Sequence, residues 1–311
     1  MPRRPMHRVQ AALAARRFFI AQKTKSQIAA ELGVSRFKVA RLIDAAIAEG
    51  IIQFTIDEPD GLSTELGDAL RQTFGLRMAL VLDGPDLPAA ALTSPLGNLA
   101  AQFLEETLTD GQVLGISWGR TLAAAAKALT HLPRIDVVQA AGIPAGLDMA
   151  QNPLELVRSL SSLSGGVAYP VYGPMWSEDP LLIERLRAEP SISTTVHQYD
   201  RIDLLVVGIG SWDPAASCLC QGFPPLWRDA ALASGVQADL CMTLIDCNGD
   251  EVPNVLNERG LGIGSAQLRT IPDVIGVGGG AEKAEAIAAV LRGRWISGLI
   301  TDAGVARKIL G

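Results

Sequence analysis

Three glycine-bearing segments carry the residues best suited to hold a small anionic or hydroxylated ligand. In Gly115-Ile-Ser-Trp-Gly-Arg-Thr121 the Ser117 and Thr121 hydroxyls and the Arg120 guanidinium gather around Gly119, between an apolar run and an alanine-rich one. A strand ending there and a helix opening at Thr121 would bring free backbone N–H groups and the positive end of a helix dipole to one point, an anion cradle. The ordinary alternative is a capped helix with Trp118 in the core. Gly276-Val-Gly-Gly-Gly-Ala-Glu-Lys283 repeats the pattern and puts Lys283 in the first helical turn, where a cation suits a compact phosphate. This segment also fits a loose G-x-G-x-x-[GA], with Asp302 downstream for a ribose contact, but little sheet can follow it and the P-loop spacing is missing. Gly208-Ile-Gly-Ser211 is the third segment. Asp302, closing Leu299-Ile-Thr-Asp302, can accept bonds from sugar hydroxyls or cap the helix that follows.

Turnover needs a positioned acid and base. His7, His131 and His197 all lie outside these loops, and Asp239 or Asp302 as a base lacks an evident partner acid. A sugar-phosphate isomerase or deaminase with an accessory domain is therefore the alternative to a binding protein, and a dinucleotide-dependent oxidoreductase a weaker one. Cys218, Cys220, Cys241 and Cys247 form no C-x-x-C pair and are too few for a disulfide framework, so reduced thiols are expected, with no metal and no cofactor.

The elements that must place these loops follow from periodicity. Beyond Asp57-Glu-Pro-Asp-Gly61, which has the composition of a hinge, β-rich runs alternate with amphipathic ones. Strands are expected over 78–82, 113–116, 137–140, 204–209, 242–246, 274–277 and 298–301. Helices are expected over 62–74, 95–108, 121–129, 155–163, 181–188 and 282–292. That alternation predicts an α/β fold with a Rossmann-like, mostly parallel sheet whose ligands bind beyond the strand carboxyl ends.

The first 50 residues differ in character. They hold ten Lys/Arg against Glu31, Asp44 and Glu49, a net of +7, while the remainder carries 17 positive and 30 negative side chains, a net of −13. A basic head on an acidic body is the electrostatic footprint of a nucleic-acid module. Its pattern is a helix over Val9–Ile20, a second over Lys25–Leu32, a turn at Gly33-Val34, and a third from Arg36 capped by Ser35. Ala29 is small where two helices cross, Gly33 admits the left-handed turn, and Val39 and Leu42 face inward, which together make a helix-turn-helix. Thr24, Lys25, Ser35, Arg36, Phe37, Lys38 and Arg41 are the candidate contacts to double-stranded DNA. Gly50–Ile56 alternates like a strand and predicts a small wing. The domains are thus 1–57, DNA-binding, and 58–311, effector-binding. No apolar stretch is long enough to cross a bilayer and the Arg-rich start lacks a signal core, so a cytoplasmic protein is expected.

These residues together resemble the SorC/DeoR-type family of sugar-binding transcriptional regulators. The resemblance is carried by Ile28-Ala-Ala-Glu-Leu-Gly-Val-Ser-Arg36 with Val39-Ala-Arg-Leu42, Gly115 to Leu122, Val138-Gln139, Val207-Gly-Ile-Gly-Ser211, Arg259-Gly-Leu-Gly262, Val274 to Gly280 with Lys283, and Leu299-Ile-Thr-Asp302. It implies an effector domain similar to ribose-phosphate isomerase and glucosamine-phosphate deaminase that binds phosphorylated sugars without turnover. It also implies a homo-oligomer, dimer or tetramer, on an operator. By the same resemblance the phosphate role falls on Ser117, Gly119, Arg120, Thr121, Gly279, Gly280 and Lys283, and sugar contacts on Gln139, Gly210, Asp239 and Asp302. The chain departs from the family at Gly235-Val-Gln-Ala-Asp239 and Gly278-Gly-Gly280, both beside the implied pocket. Gln139-Ala-Ala-Gly142 offers no lysine for a Schiff base, so binding is expected to be non-covalent.

Overall fold

A computed structural model describes residues 5–54, 61–144, 152–212 and 218–311. Contacts divide the chain into two units, Met1–Glu58 and Pro59–Gly311.

The regular elements among the described residues of the first unit are all helical. Helix α1 spans Pro5–Ala15 and runs on as a π-helical turn, Arg16–Ile20; α2 is Lys25–Leu32 and α3 is Arg36–Ala48. The caps explain the breaks. The Thr24 hydroxyl accepts from the Gln27 N–H while the Gln27 side chain accepts from the Thr24 N–H, a reciprocal capping box on α2. Gly33 ends that helix at φ 63°, a conformation that costs other residues about 1 kcal/mol or more. Ser35 then accepts from the Lys38 N–H and starts α3. Ala11, Ala14 and Ala15 of α1 meet Ile28 of α2 and Val39, Leu42, Ile43 and Ala46 of α3 in one small core. The expected wing is not formed by its described part. Residues 50–54 adopt turn and coil, because Ile51 and Ile52 both turn onto the helical core and Phe54 meets Phe19 edge-on at 5.0 Å instead of alternating; Thr55 and Ile56 lie outside the described residues, as does most of the hinge.

The second unit is built on strands β1 (Met78–Leu82), β2 (Val113–Ile116), β3 (Asp136–Gln139), β4 (Ala168–Tyr169), β5 (Leu204–Gly208), β6 (Gly210–Ser211), β7 (Val236–Leu240), β8 (Thr243–Asp246), β9 (Asp273–Val277) and β10 (Gly298–Asp302). Seven form a sheet in the order β1-β10-β9-β5-β2-β3-β4, every pair parallel; β6-β7-β8 form a small antiparallel sheet. The parallel strands are apolar almost without interruption because both faces are covered. Leu114, Ile116, Leu204, Val206, Ile275 and Val277 pack toward helices Ala89–Thr107, Arg120–Ala128 and Pro153–Ser164, while Val113, Leu205, Val207, Val274 and Leu299 pack toward helices Ala284–Arg292 and Ala303–Leu310.

Chain order makes the sheet grow outward from β2 through β3 and β4, then return to the other side of β2 with β5, β9 and β10. The direction therefore reverses between β2 and β5, and the loops leaving those two strands diverge to opposite faces. Such a switch point opens a crevice at the strand carboxyl ends. The helix expected to start at Pro95 begins at Ala89, with Pro95 inside it. Its first N–H, from Ala89, donates to Glu282 Oε1 at 2.8 Å, which ties this helix start to the glycine loop after β9.

Candidate functional site

A cleft of about 860 Å³, counting its open mouth, occupies the β2/β5 switch point. The loop after β2 contributes Ser117 to Leu122, the loop after β5 contributes Gly208 to Gly210, and the loop after β9 contributes Gly279 and Lys283. Asp239 and Cys241 enter from β7 and the turn behind it, and Ala89, Thr93 and Leu96 from the helix opposite. The three glycine segments that stand far apart in sequence thus converge, since all of them leave adjacent or near-adjacent parallel strands at the same end.

Gly119 sits at φ 142° immediately before helix Arg120–Ala128, a conformation that glycine adopts freely and other residues do not. The first N–H groups of a helix have no acceptor within it. Here they belong to Arg120, Thr121 and Leu122, all of which line the cleft, and Arg120 adds an exposed cation. Ser117 is more constrained: its hydroxyl accepts from the Gly208 N–H at 3.1 Å and so bridges the loops of β2 and β5. Lys283 closes the opposite side. It ends a short 3-10 turn, Ala281–Lys283, and precedes the helix instead of lying in its first turn, and its Nζ donates to the Ile209 carbonyl at 3.0 Å, which holds the ammonium between the β5 and β9 loops.

Asp239 supplies the cleft's carboxylate. It is 6% exposed and its Oδ1 accepts from Trp212 Nε1 at 2.9 Å. Register explains the presence of Gly210: it pairs directly with Asp239 across β6 and β7, and a Cβ there would lie 2.1 Å from the carboxylate. Next to it, burial first and the Asp239 charge second push the Cys241 thiol up to about 12 from 9.0. The thiol stays protonated in the folded protein while the unfolded chain ionises above about pH 9. The unfolded state then binds fewer protons, so stability is expected to fall from pH 9 to 10 by up to about 1.4 kcal/mol. Urea midpoints at the two pH values, with Cys241→Ala flattening the loss, check this.

Three expected ligand contacts are placed elsewhere. Gln139 is fully buried beneath the cleft, where Nε2 donates to the Ala141 carbonyl at 2.6 Å and Oε1 accepts from the Val171 N–H at 3.1 Å; it splices the end of β3 to the chain after β4. Asp302 is 3% exposed, caps helix Ala303–Leu310 through the Gly304 and Val305 N–H groups at 2.9 and 3.2 Å, and accepts from the Gly280 N–H at 2.8 Å. Gly280 therefore spends its N–H on Asp302, and Ala89 lies so close that a Cβ on Gly280 would come 2.6 Å from the Ala89 nitrogen. Asp302→Ala removes a cap and orphans a buried N–H, and is expected to cost about 2–4 kcal/mol, or roughly 5–15 °C in Tm, by calorimetry. Residues missed from sequence include Cys241, Ala89, Thr93 and Leu96 on the cleft and Trp212, which holds Asp239 from behind it; no local spacing signals them, because each is brought there by tertiary packing.

On the first unit, Arg36, Phe37, Lys38 and Arg41 are all exposed along one end of α3, Phe37 to 83%. Thr24 and Ser35 serve as the caps of α2 and α3, and the Lys25 ammonium lies 5.6 Å from the Phe18 ring. Behind them Glu31 pairs with Lys23 and, at 3.2 Å, with Arg17; the Lys23 hydrogen bond holds its carboxyl below the ordinary range. The acidic group nearest the turn is thus neutralised internally, and the exposed start of α3 is cationic.

Among the described residues no helix is long and apolar enough to cross a membrane, and no group of three or more His, Cys, Asp or Glu is placed to hold a metal. Residues 60–311 match the family described as "Putative sugar-binding domain". The erythritol catabolism regulatory protein EryD of Brucella abortus is 29% identical, with 94% of this chain and 93% of that one aligned. The sorbitol operon regulator of Klebsiella pneumoniae is 27% identical over 92% of this chain and 93% of its own, and the deoxyribonucleoside regulator of Bacillus subtilis 24% over 96% of each. The crystal structure of full-length SorC from Klebsiella pneumoniae superposes with a TM-score of 0.75 at 26% identity, covering 98% of this chain and 99% of SorC.

Proposed function

The chain belongs to the SorC/DeoR-type family of sugar-binding transcriptional regulators, and from that premise we propose that a phosphorylated sugar or polyol held in the β2/β5 cleft sets its affinity for an operator. It is a regulator and not an enzyme, like the relatives it matches along nearly their whole length. The relatives are named for erythritol, sorbitol and deoxyribonucleosides, which makes small hydroxylated compounds the ligand class.

The observation that carries the phosphorylated form is the cleft's division of charge. Arg120 with the helix start beside it and Lys283 supply cationic donors, and the buried Asp239 supplies an acceptor. A phosphate satisfies the former and a sugar hydroxyl the latter. The seven candidate contacts on α2, α3 and their N-caps, with the basic balance of the first 50 residues, support a helix-turn-helix that reads DNA from the start of α3. Domain limits near Glu58 and a homo-oligomer that presents two such heads complete the proposal. A thermal-shift panel tests it. Sugar phosphates at about 100 times Kd stabilise a native state by about 2.7 kcal/mol. Four- to six-carbon sugar and polyol phosphates are expected to raise Tm and their unphosphorylated forms to do so far less; equal shifts from both would remove the phosphate from the proposal.

A further inference from the structure

A second cavity, about 850 Å³ with its open mouth included, shares no lining residue with the effector cleft. Arg187 stands exposed at it, Tyr199, Met242 and Leu256 form a buried floor, and Ser265 and Gln267 lie along another side. Tyr199 is 2% exposed, and its hydroxyl is buried with no hydrogen-bond partner among the described residues. An unpaired phenol costs folding free energy that most buried hydroxyls avoid, which makes it a group awaiting a partner. Arg187 donates through one nitrogen to the Gly260 carbonyl at 2.6 Å, leaving its remaining N–H donors.

A guanidinium and a lone phenol over a floor of Met242 and Leu256 do not suit a sugar, whose hydroxyls would go unpaired against those two side chains. They suit an organic anion with an apolar body. We propose that this cavity is a second ligand site that takes a small carboxylate: the carboxyl oxygens accept from Arg187 and Tyr199, and the hydrocarbon part covers Met242 and Leu256. Position gives the site a consequence. Met242 directly follows Cys241, which lines the effector cleft and is held at φ 49°, a conformation uncommon outside glycine. The turn from Asp239 to Thr243 thus has Asp239 and Cys241 in the effector cleft and Met242 in the second cavity, and the Thr243 hydroxyl within it is also buried without a partner among the described residues. A carboxylate resting on Met242 acts on the same turn that carries Asp239.

Titration calorimetry of the full chain with benzoate tests the site without sugar or DNA, so it succeeds or fails independently of the proposed function. Saturable one-to-one binding is expected with Kd of about 1 mM or below. Tyr199→Phe keeps the buried ring and is expected to weaken binding roughly five- to tenfold, Arg187→Gln by more than tenfold, and Lys283→Ala, in the other cleft, not at all. No saturable heat up to about 20 mM, binding indifferent to both Tyr199→Phe and Arg187→Gln, or binding lost in Lys283→Ala would each overturn the assignment.

Discussion

Lys283→Ala is expected to weaken a sugar-phosphate effector by roughly ten- to a hundredfold, the range for losing a charge-assisted hydrogen bond, while the helix-turn-helix keeps its intrinsic affinity for DNA. Among the described residues the ammonium is one of two cationic side chains on the cleft, and its position is fixed by its 3.0 Å bond to the Ile209 carbonyl. Its loss removes charge from the phosphate end and leaves Asp239, tied to Trp212, in place for hydroxyls. The variant should therefore lose its preference for phosphorylated over unphosphorylated ligands more than its affinity for the latter. Calorimetry with both forms reads that difference; a variant that keeps the full preference would move the phosphate away from Lys283.

The second large effect lies at the other end of the chain. Replacing Arg36 and Lys38 together with alanine is expected to reduce operator affinity about 10²- to 10³-fold, since each side chain that reaches a base edge or phosphate contributes about 1–3 kcal/mol. Both are exposed at the start of α3, beyond the Ser35 cap and away from the Val39, Leu42, Ile43 core, so helicity should be unchanged. Arg41, a turn later on the same helix, is expected to meet the DNA backbone; Arg41→Ala should weaken all sequences alike and lower the salt dependence by about one counterion. Fluorescence anisotropy with operator and scrambled duplexes at two salt concentrations separates the two behaviours.

Much of the scaffold was legible because local chemistry decides it. β1 and β2 are apolar runs bounded by polar or glycine residues, and α2 lies between Thr24 and Gly33, residues whose cap and turn preferences leave little choice. The three glycine loops were legible for the same reason. What sequence did not reveal is how their polar atoms would be spent. Asp302 looked equally suited to a sugar or a helix start, and only the approach of Gly280, 22 residues earlier in the chain, commits both of its oxygens to the protein. Gln139 is buried for a like reason: its partner Val171 follows β4, a two-residue strand too short to announce itself. The antiparallel β6-β7 pairing that sets Gly210 against Asp239 was equally hidden, since β7 carries Gln237 and Asp239 among its apolar residues. The described part of the expected wing, residues 50–54, does not alternate because two successive isoleucines pack on the small helical core, a tertiary demand that outweighed alternation there.

A ligand can change DNA affinity only by as much as it prefers one arrangement of the protein over another. In the proposed function the β2/β5 cleft supplies this preference, and phosphate is what it recognises. The most direct measurement is operator binding by the full chain titrated with a sugar phosphate that raises its Tm, set beside the unphosphorylated sugar and the Lys283→Ala variant. The operator Kd is expected to shift about fivefold or more with the phosphate, little with the free sugar, and little in the variant. An operator Kd that shifts as far in Lys283→Ala as in the parent chain, or one that no cleft ligand moves, would contradict it.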